Sequence, residues 1–420
     1  MKLLKTSFFS AVVTLVKISS SFAASKVIAM YTGPSGVAII GQFYNLTSII
    51  VGFANGGIGT GVVKFTSEYD GDTEKQKSLY STSMRISGYC SLLLGSIVAI
   101  FSKFLSQQFF NTPEFTYPII IFGITLVFYA FNTLLISIIN GKREIRFYTI
   151  VNCVGSLITL ILTLLLVYLY HILGALYALV FSQVLVFIIT LIFVIRKNWF
   201  KWDYFNKSID RNMLLNLAEF SLMALLASIT LPLTQIFLRN FIISELGMSS
   251  AGLWQGMMRI SDGYLMIVTI SLSTYYVPKL SNSTDSEIKS EMWQGFKLIM
   301  PLVFASCVAI YLLRNTIISL LFTKQFLPME NLFLFQLLGD FFKVACYLLI
   351  TLMVTKKLTK AYVITEIIFN VSYVILGYYL TSIYGLQGVT QAFAVVYFLC
   401  LCCLIIFFRK ILFNKHESFN

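Results

Sequence analysis

Charged and polar side chains recur at helical spacing inside a long apolar block. Steps of three and four residues place them on one face of a helix. A surface facing lipid could not be this polar, so the pattern predicts a face that lines a water-filled cavity and binds a polar ligand. The residues of this stripe, all within 251–278, are Gln255, Arg259, Asp262, Met266, Thr269, Ser273 and Tyr276.

Three further apolar blocks carry the same kind of side chain. Lys26 is nearly opposite Lys17 on a helical wheel and near the outer end of its block, so it is expected to extend to the headgroups. The other residues are Gln336, Asp340, Lys343 and Tyr347 in one block, Gln42, Asn45 and Asn55 in another, and Ser10, Thr14, Lys17 and Ser21 in the first.

The intramembrane charges leave two interpretations open. Arg259 and Asp262, like Asp340 and Lys343, are three residues apart and can touch on one helix face. They either neutralise each other and fix the packing of the helices, or they bind a ligand. Coupling to protons or sodium through Asp262 or Asp340 is also left open. Lys17 has no acidic neighbour at helical spacing, which favours a binding role.

Residue types that would support catalysis or a cofactor are poorly placed. The seven cysteines all fall inside apolar blocks, which argues against disulfides. Neither of the two histidines has a neighbouring residue of a type that would support catalysis. The acidic run 68–74 lacks the spacing of a calcium loop, and no glycine-rich nucleotide loop is present. We therefore expect no metal, no cofactor and no direct use of ATP. Gly56, Gly57 and Pro232 are predicted hinges.

The composition indicates an all-α integral membrane protein. Hydrophobic residues make up 58% of the 420 positions, charged residues 12%, and the mean hydropathy is +0.83. The apolar residues come in blocks of about 20, the length of a membrane-spanning helix. The net charge of +13 sits in clusters between these blocks, which excludes a nucleic-acid-binding surface.

Apolar blocks and polar breaks predict twelve spans. Of the 31 lysines and arginines, 23 fall in one set of alternate loops, which predicts that this set and both termini are cytoplasmic. The first block resembles a signal peptide, but Lys17 interrupts its apolar core, so we expect it to be retained. The predicted spans are 7–30, 36–62, 85–105, 117–140, 150–170, 173–195, 217–243, 251–278, 296–313, 331–354, 362–380 and 386–408.

The chain is predicted to form two pseudo-symmetric lobes of six helices each. Gly33–Gly36 leading into Gly41-Gln42 is matched by Gly247–Ser250 leading into Gln255-Gly256. An even number of helices per half makes the repeat parallel, and two such lobes enclose a central cavity. The predicted divisions are an N-terminal lobe at 1–200, a cytoplasmic linker at 201–216 and a C-terminal lobe at 217–420.

Four ordered stretches carry a family resemblance that covers almost the whole chain. The sequence resembles the bacterial flippases for lipid-linked oligosaccharides, the O-antigen and enterobacterial common antigen (lipid III) translocases. These belong to the multidrug/oligosaccharidyl-lipid/polysaccharide exporter superfamily. The stretches are Thr14-Leu-Val-Lys17-Ile, Gly33–Gln42, Trp254–Leu265 and Phe335–Val344.

The resemblance implies a transporter of the bacterial inner membrane. Its substrate would be an undecaprenyl-pyrophosphate-linked glycan, moved from the cytoplasmic to the periplasmic leaflet by alternating access. Lys17, Arg259 and Lys343 would supply a cationic environment for the pyrophosphate, and amides and hydroxyls would bind sugars. The lipid tail would stay among membrane lipids. A polymerase and a chain-length regulator of the same pathway are the expected protein partners.

Three alternatives remain at this point. A multidrug exporter of the same superfamily would favour an aromatic, net-acidic cavity, whereas the intramembrane charge here leans positive. A membrane polysaccharide polymerase would need a large outer loop with acid/base residues, and the longest predicted outer loop, 314–330, shows none. A channel or a structural role is less well supported, because the internal repeat favours a carrier.

Overall fold

A computed structural model describes residues 2–272, 276, 280, 285–356 and 358–413. In these residues the chain is helical, with no strand, and this confirms the all-α class. Two short 3₁₀ helices, Trp202–Phe205 and Lys324–Leu332, lie among the α-helices. The α-helices are α1 (Lys2–Ala54), α2 (Gly59–Glu68), α3 (Thr73–Ile100), α4 (Ser102–Phe110), α5 (Thr116–Gly141), α6 (Ile145–Ile195), α7 (Arg211–Ser271), α8 (Asp285–Leu312), α9 (Arg314–Leu321), α10 (Phe333–Thr355), α11 (Thr359–Tyr384), α12 (Leu386–Phe407) and α13 (Arg409–Phe413).

Nine helices of the described chain have the length and apolar composition of membrane spans. Three of them have apolar segments of 44, 51 and 47 residues, more than twice the length of about 20 that one span needs. Each is interrupted by one residue with non-helical backbone angles: Gly33 in α1, His171 in α6 and Gly247 in α7. The three interruptions fall at the predicted breaks between spans. The total of twelve crossings stays a prediction.

Several predicted spans have different bounds in the structure; the span predicted at 296–313, for example, corresponds to α8, which begins at Asp285. The predicted span 36–62 is divided, because α1 ends at Ala54 and α2 begins at Gly59. Gly56 and Gly57 lie between them with φ angles of 60° and 65°, a left-handed conformation that only glycine adopts without strain. The third span was predicted to begin at 85, but α3 begins at Thr73, where Asp72 caps it by accepting a hydrogen bond from the Lys75 N–H at 3.1 Å.

The described residues form two compact units. Unit 1 comprises 2–32 and 39–236, and unit 2 comprises 33–38 together with the residues from 237 onward. The unit 1 core includes Val62, Leu79 and Ile138. The unit 2 core has one cluster around Trp254 and another around Met292. The two predicted six-helix lobes stay a prediction.

Apolar side chains also cover the outside of the helices. On α8, for example, Leu298 is 77% exposed and Leu302 is 69% exposed. A helix exposed to water would carry polar residues on this face, whereas a helix exposed to lipid tails carries leucine. The protein is therefore a multi-pass membrane protein.

Candidate functional site

A fully buried carboxylate, that of Asp340 on α10, joins α10 to the second part of α7. The Ser261 hydroxyl lies 2.8 Å and 2.7 Å from its two oxygens, and the Tyr264 hydroxyl donates a further hydrogen bond. The Gln336 amide donates at 3.3 Å from one turn earlier on α10. Among the described residues, no lysine or arginine forms an ion pair within 4 Å of Asp340, so its direct hydrogen bonds come from neutral donors.

The Lys343 ammonium group forms no ion pair within 4 Å of Asp340. Its Nζ atom lies 5.7 Å from the ring centre of Phe393 and 5.8 Å from that of Tyr397, both on α12. At these distances an ammonium group is attracted to the face of an aromatic ring. The structure thus does not form the Asp340–Lys343 pair, although one helical turn would allow it. Lys343 is half-buried.

The stripe predicted on α7 is partly accessible. Asp262 is exposed, and Gln255 and Arg259 are half-buried, as are Met266 and Thr269. Asp262 forms no ion pair within 4 Å in the described part of the chain, so an Arg259–Asp262 pair is not seen either. The lower part of the stripe differs. Tyr276 is buried and donates a hydrogen bond to the Glu291 carbonyl oxygen at 2.8 Å, and Ser273 lies outside the described residues.

Arg239 is a functional candidate that the sequence did not reveal. It lies near the end of the predicted span 217–243, but its side chain is 0% exposed. Its guanidinium group donates a hydrogen bond to the Gln255 Oε1 atom and lies 5.7 Å from the ring centre of Trp254. This arrangement fixes the orientation of the Gln255 amide, a member of the predicted stripe. Only the apolar residues before Arg239 and after Asn240 could have indicated its burial.

In unit 1 the predicted site residues fall into two groups. Lys17 is exposed and Lys26 half-buried on α1. Gln42 and Asn45 are only 1% and 4% exposed, and the Asn45 amide donates a hydrogen bond to the Gln235 Oε1 atom at 3.0 Å. The Asn45–Gln235 hydrogen bond therefore joins the end of α1 to α7, whereas Lys17 is exposed.

The remaining predicted residues have structural surroundings. Tyr347 packs against the apolar cluster around Met292. A Cβ atom on Gly57 would lie 2.6 Å from the Ser221 carbonyl oxygen, so this glycine permits close contact as well as a turn. Pro232 lies inside α7, where the residue with non-helical backbone angles is Gly247. The hinge role of these positions stays a prediction.

The segment between α6 and α7 is fastened to unit 1 by polar contacts. Glu144 accepts a hydrogen bond from the Trp199 indole N–H at 2.6 Å and pairs with Lys197 at 2.6 Å. Further along, the Ser78 hydroxyl donates to Asp210 at 2.7 Å. This hydrogen bond is the main reason why the pKa of Asp210 is lowered from its ordinary value. The segment is therefore a packed part of unit 1.

Comparison with known proteins gives a family match and close structural similarity. A family model described as polysaccharide biosynthesis protein matches residues 3–284. Two curated relatives, called lipid III flippase, come from Escherichia coli (strain K12) and Shigella flexneri. Each is 29% identical over 406 residues, which cover 96% of this chain and 98% of the relative.

Solved structures share the fold at lower sequence identity. An inward-facing multidrug resistance MATE family transporter of the MOP superfamily matches with a TM-score of 0.79 and 16% identity, over 96% of this chain and 100% of that one. The lipid II flippase MurJ in an inward closed conformation matches with a TM-score of 0.74 and 18% identity, over 98% and 90%. The chain therefore has the fold of these membrane transporters.

Proposed function

Because this chain belongs to the polysaccharide biosynthesis protein family, we propose that it flips a lipid-linked oligosaccharide across the bacterial inner membrane. The observation that carries the proposal is the 29% identity to lipid III flippases over 96% of this chain and 98% of the relatives. The curated relatives are flippases, and the chain is a transporter rather than an enzyme.

The proposed substrate is an undecaprenyl-pyrophosphate-linked repeat unit of O-antigen or enterobacterial common antigen. It would pass from the cytoplasmic to the periplasmic leaflet by alternating access, and its lipid tail would remain in the bilayer. The proposed partners are a polymerase and a chain-length regulator of the same pathway. This proposal accounts for a helix face that combines charged groups with amides and hydroxyls, which hydrogen-bond to sugars.

Cationic side chains inside the spans support recognition of a pyrophosphate. In unit 2 the Lys343 ammonium group lies over two aromatic rings and forms no ion pair within 4 Å in the described part of the chain, and Arg259 is half-buried on the α7 stripe. In unit 1 Lys17 is exposed on an apolar helix. A cation inside a membrane span is costly, so such residues usually face a substrate, an ion or a buried partner. Asp262 and Gln255 would contact the glycan from the same stripe.

The test uses a flippase-deficient strain and reconstituted vesicles. We expect Lys17→Ala and Arg259→Ala to stop surface-glycan export and translocation of polyprenyl-pyrophosphate-linked oligosaccharide, while membrane levels of the protein stay normal. Lys103→Ala, an exposed lysine on α4, is the matched control and should be fully active. Normal export by both alanine variants would overturn the assignment of these cations. Drug efflux without glycolipid translocation would instead identify a multidrug exporter.

A further inference from the structure

Unit 1 contains an apolar cavity that the transport proposal does not use. It has a volume of about 560 Å³, counting the open space at its mouth. Its walls come from α3, α5 and α6, and its roof comes from the segment between α6 and α7. The lining side chains are all apolar and include Met84, Phe131, Leu135, Leu191, Phe200 and Trp202.

Aromatic side chains that pack against one another form the roof of the cavity. The ring centre of Phe200 lies 5.1 Å from that of Trp202 and 5.8 Å from that of Phe205, and Phe205 stacks on Tyr80 at 5.9 Å. The contacts of Glu144 and Asp210 described above fasten both ends of this segment. The cavity is therefore held open by fixed elements.

The cavity runs from the protein surface into its interior. Trp202 at the mouth is 60% exposed, whereas Leu135 at the inner end is 6% exposed. Tryptophan is enriched at the level of the lipid headgroups, where its ring is in contact with both apolar and polar surroundings. The mouth therefore lies at the membrane interface, and the depth of the cavity lies at the level of the lipid chains.

A basic residue adjoins the mouth. Lys201 is exposed and stands between two residues of the roof, Phe200 and Trp202. The carboxylate of Asp203, the residue after Trp202, is paired with Lys77 at 2.8 Å. On the predicted orientation this end faces the cytoplasm, where the leaflet contains anionic lipids that basic residues attract. An apolar cavity with Lys201 beside its mouth is complementary to an anionic lipid.

We propose that this cavity binds one acyl chain of an anionic phospholipid, with the headgroup phosphate near Lys201. An apolar cavity that is open at one end suits a single acyl chain of a membrane lipid, because the chain can enter while the headgroup stays at the mouth. The bound lipid acts as a structural ligand that joins the segment 199–205 to α3, α5 and α6.

Quenching of Trp202 fluorescence by lipids brominated on the acyl chain tests the proposal. The full-length protein is placed in nanodiscs of phosphatidylethanolamine that contain a small fraction of brominated phosphatidylglycerol or, separately, brominated phosphatidylcholine. The Trp202 signal is the emission lost in Trp202→Phe. We expect at least twofold stronger quenching by the anionic lipid. Equal quenching by the two lipids would overturn the headgroup assignment.

Two variants separate the chain from the headgroup. Leu191→Phe fills the cavity and should reduce quenching by both lipids, whereas Lys201→Ala should remove only the preference for the anionic one. Leu312→Phe, at a position that is 72% exposed on α8, is the matched control. Unchanged quenching in a folded, monodisperse Leu191→Phe protein would exclude occupation of the cavity. Stronger relief of quenching by undecaprenyl phosphate than by unbrominated phosphatidylglycerol would assign the cavity to the transported lipid instead. None of these readouts depends on transport.

Discussion

The hydroxyl oxygen of Ser261 on α7 lies 2.8 Å and 2.7 Å from the two carboxylate oxygens of Asp340 on α10. Asp340 is 0% exposed, and Tyr264 and Gln336 complete its hydrogen bonds. A carboxylate in this position stabilises the contact between two helices of unit 2 only while its donors are in place. Asp340 is thus closed off from a ligand in this structure, whereas Asp262 is open.

The contact between Tyr264 and Asp340 predicts a strong energetic coupling. We expect Tyr264→Phe to lower the apparent free energy of unfolding by about 1–3 kcal/mol, because the buried carboxylate loses a donor. The loss should be smaller in the Asp340→Asn background, and a double-mutant cycle in detergent measures the difference. Tyr117→Phe is the control, since Tyr117 is 71% exposed. Additive effects of the two changes would mean that this hydrogen bond does not stabilise the protein.

The positions of Asp340 and Lys343 predict that replacing both residues does not restore the glycan export lost in the single variants. If the two side chains neutralised each other, Asp340→Asn/Lys343→Gln would be milder than either single change. The structure instead places Lys343 over Phe393 and Tyr397. We therefore expect the double variant to export glycan no better than the worse single variant. Complementation in a flippase-deficient strain, with membrane levels measured alongside, provides the test, and full rescue would contradict it.

The main features of the fold could be predicted from hydropathy alone. Long apolar blocks set the helices, and the polar breaks around Gly33, His171 and Gly247 are where the long helices are interrupted. The early start of α3 was missed because its first turns are polar. The structure buries Ser78 and Thr82 there against the segment before α7, a tertiary contact that hydropathy does not reveal.

The site could be predicted only as a set of side chains on helix faces. Periodicity placed Arg259 and Asp262 on one stripe of a helix, where Asp262 is exposed and Arg259 half-buried. A binding role for this stripe stays a prediction. The hydrogen-bond partners of Asp340 could not be predicted from the sequence, because Ser261 and Tyr264 lie 79 and 76 residues away in the chain. Spacing within one helix suggested Lys343 as its partner. A single sequence gives local neighbours, and it does not say which rotamer each side chain adopts.

The buried guanidinium group of Arg239 predicts a large difference between arginine and lysine at that position. Lysine cannot reproduce the planar contact with Trp254 together with the hydrogen bond to Gln255. We expect Arg239→Lys to cost about 2 kcal/mol of stability, the scale of a desolvated cation–π contact. Arg314→Lys is the matched control, because Arg314 lies over Tyr311 at a partly exposed site. Similar denaturation midpoints for the two variants would contradict the prediction.

The orientation in the membrane is a separate prediction from the distribution of basic residues. A reporter inserted at Lys201, an exposed residue of the segment before α7, should report a cytoplasmic location. A reporter at Asn111, exposed in the turn after α4, should report the periplasm. Paired phosphatase and fluorescent-protein fusions make the measurement. Fluorescence of the Asn111 fusion together with phosphatase activity of the Lys201 fusion would show that the topology is the inverse of the predicted one.

The hydrogen bond from Ser78 to Asp210 predicts an acid-sensitive attachment of the segment before α7. Because this bond lowers the pKa of Asp210 in the folded protein, its stabilising effect is complete above the ordinary aspartate pKa of about 3.9. The effect is lost only as the pH falls through the lower, folded-state pKa. Hydrogen–deuterium exchange of the peptide 206–213, corrected for intrinsic rates, should therefore show constant protection down to about pH 4 and a decline below it.

Ser78→Ala removes the largest cause of the lowered pKa. The folded-state pKa then lies closer to the ordinary value, so the decline in protection should be smaller and should be complete at a higher pH. Ser96→Ala, an exposed serine on the same helix, serves as the control and should leave the profile unchanged. A decline at the same pH in wild type and Ser78→Ala would show that another group sets the acid sensitivity. Protection that is already absent at neutral pH in wild type would show that the segment is not fastened through Asp210. The expected upward shift requires both the contact and its effect on the carboxyl group.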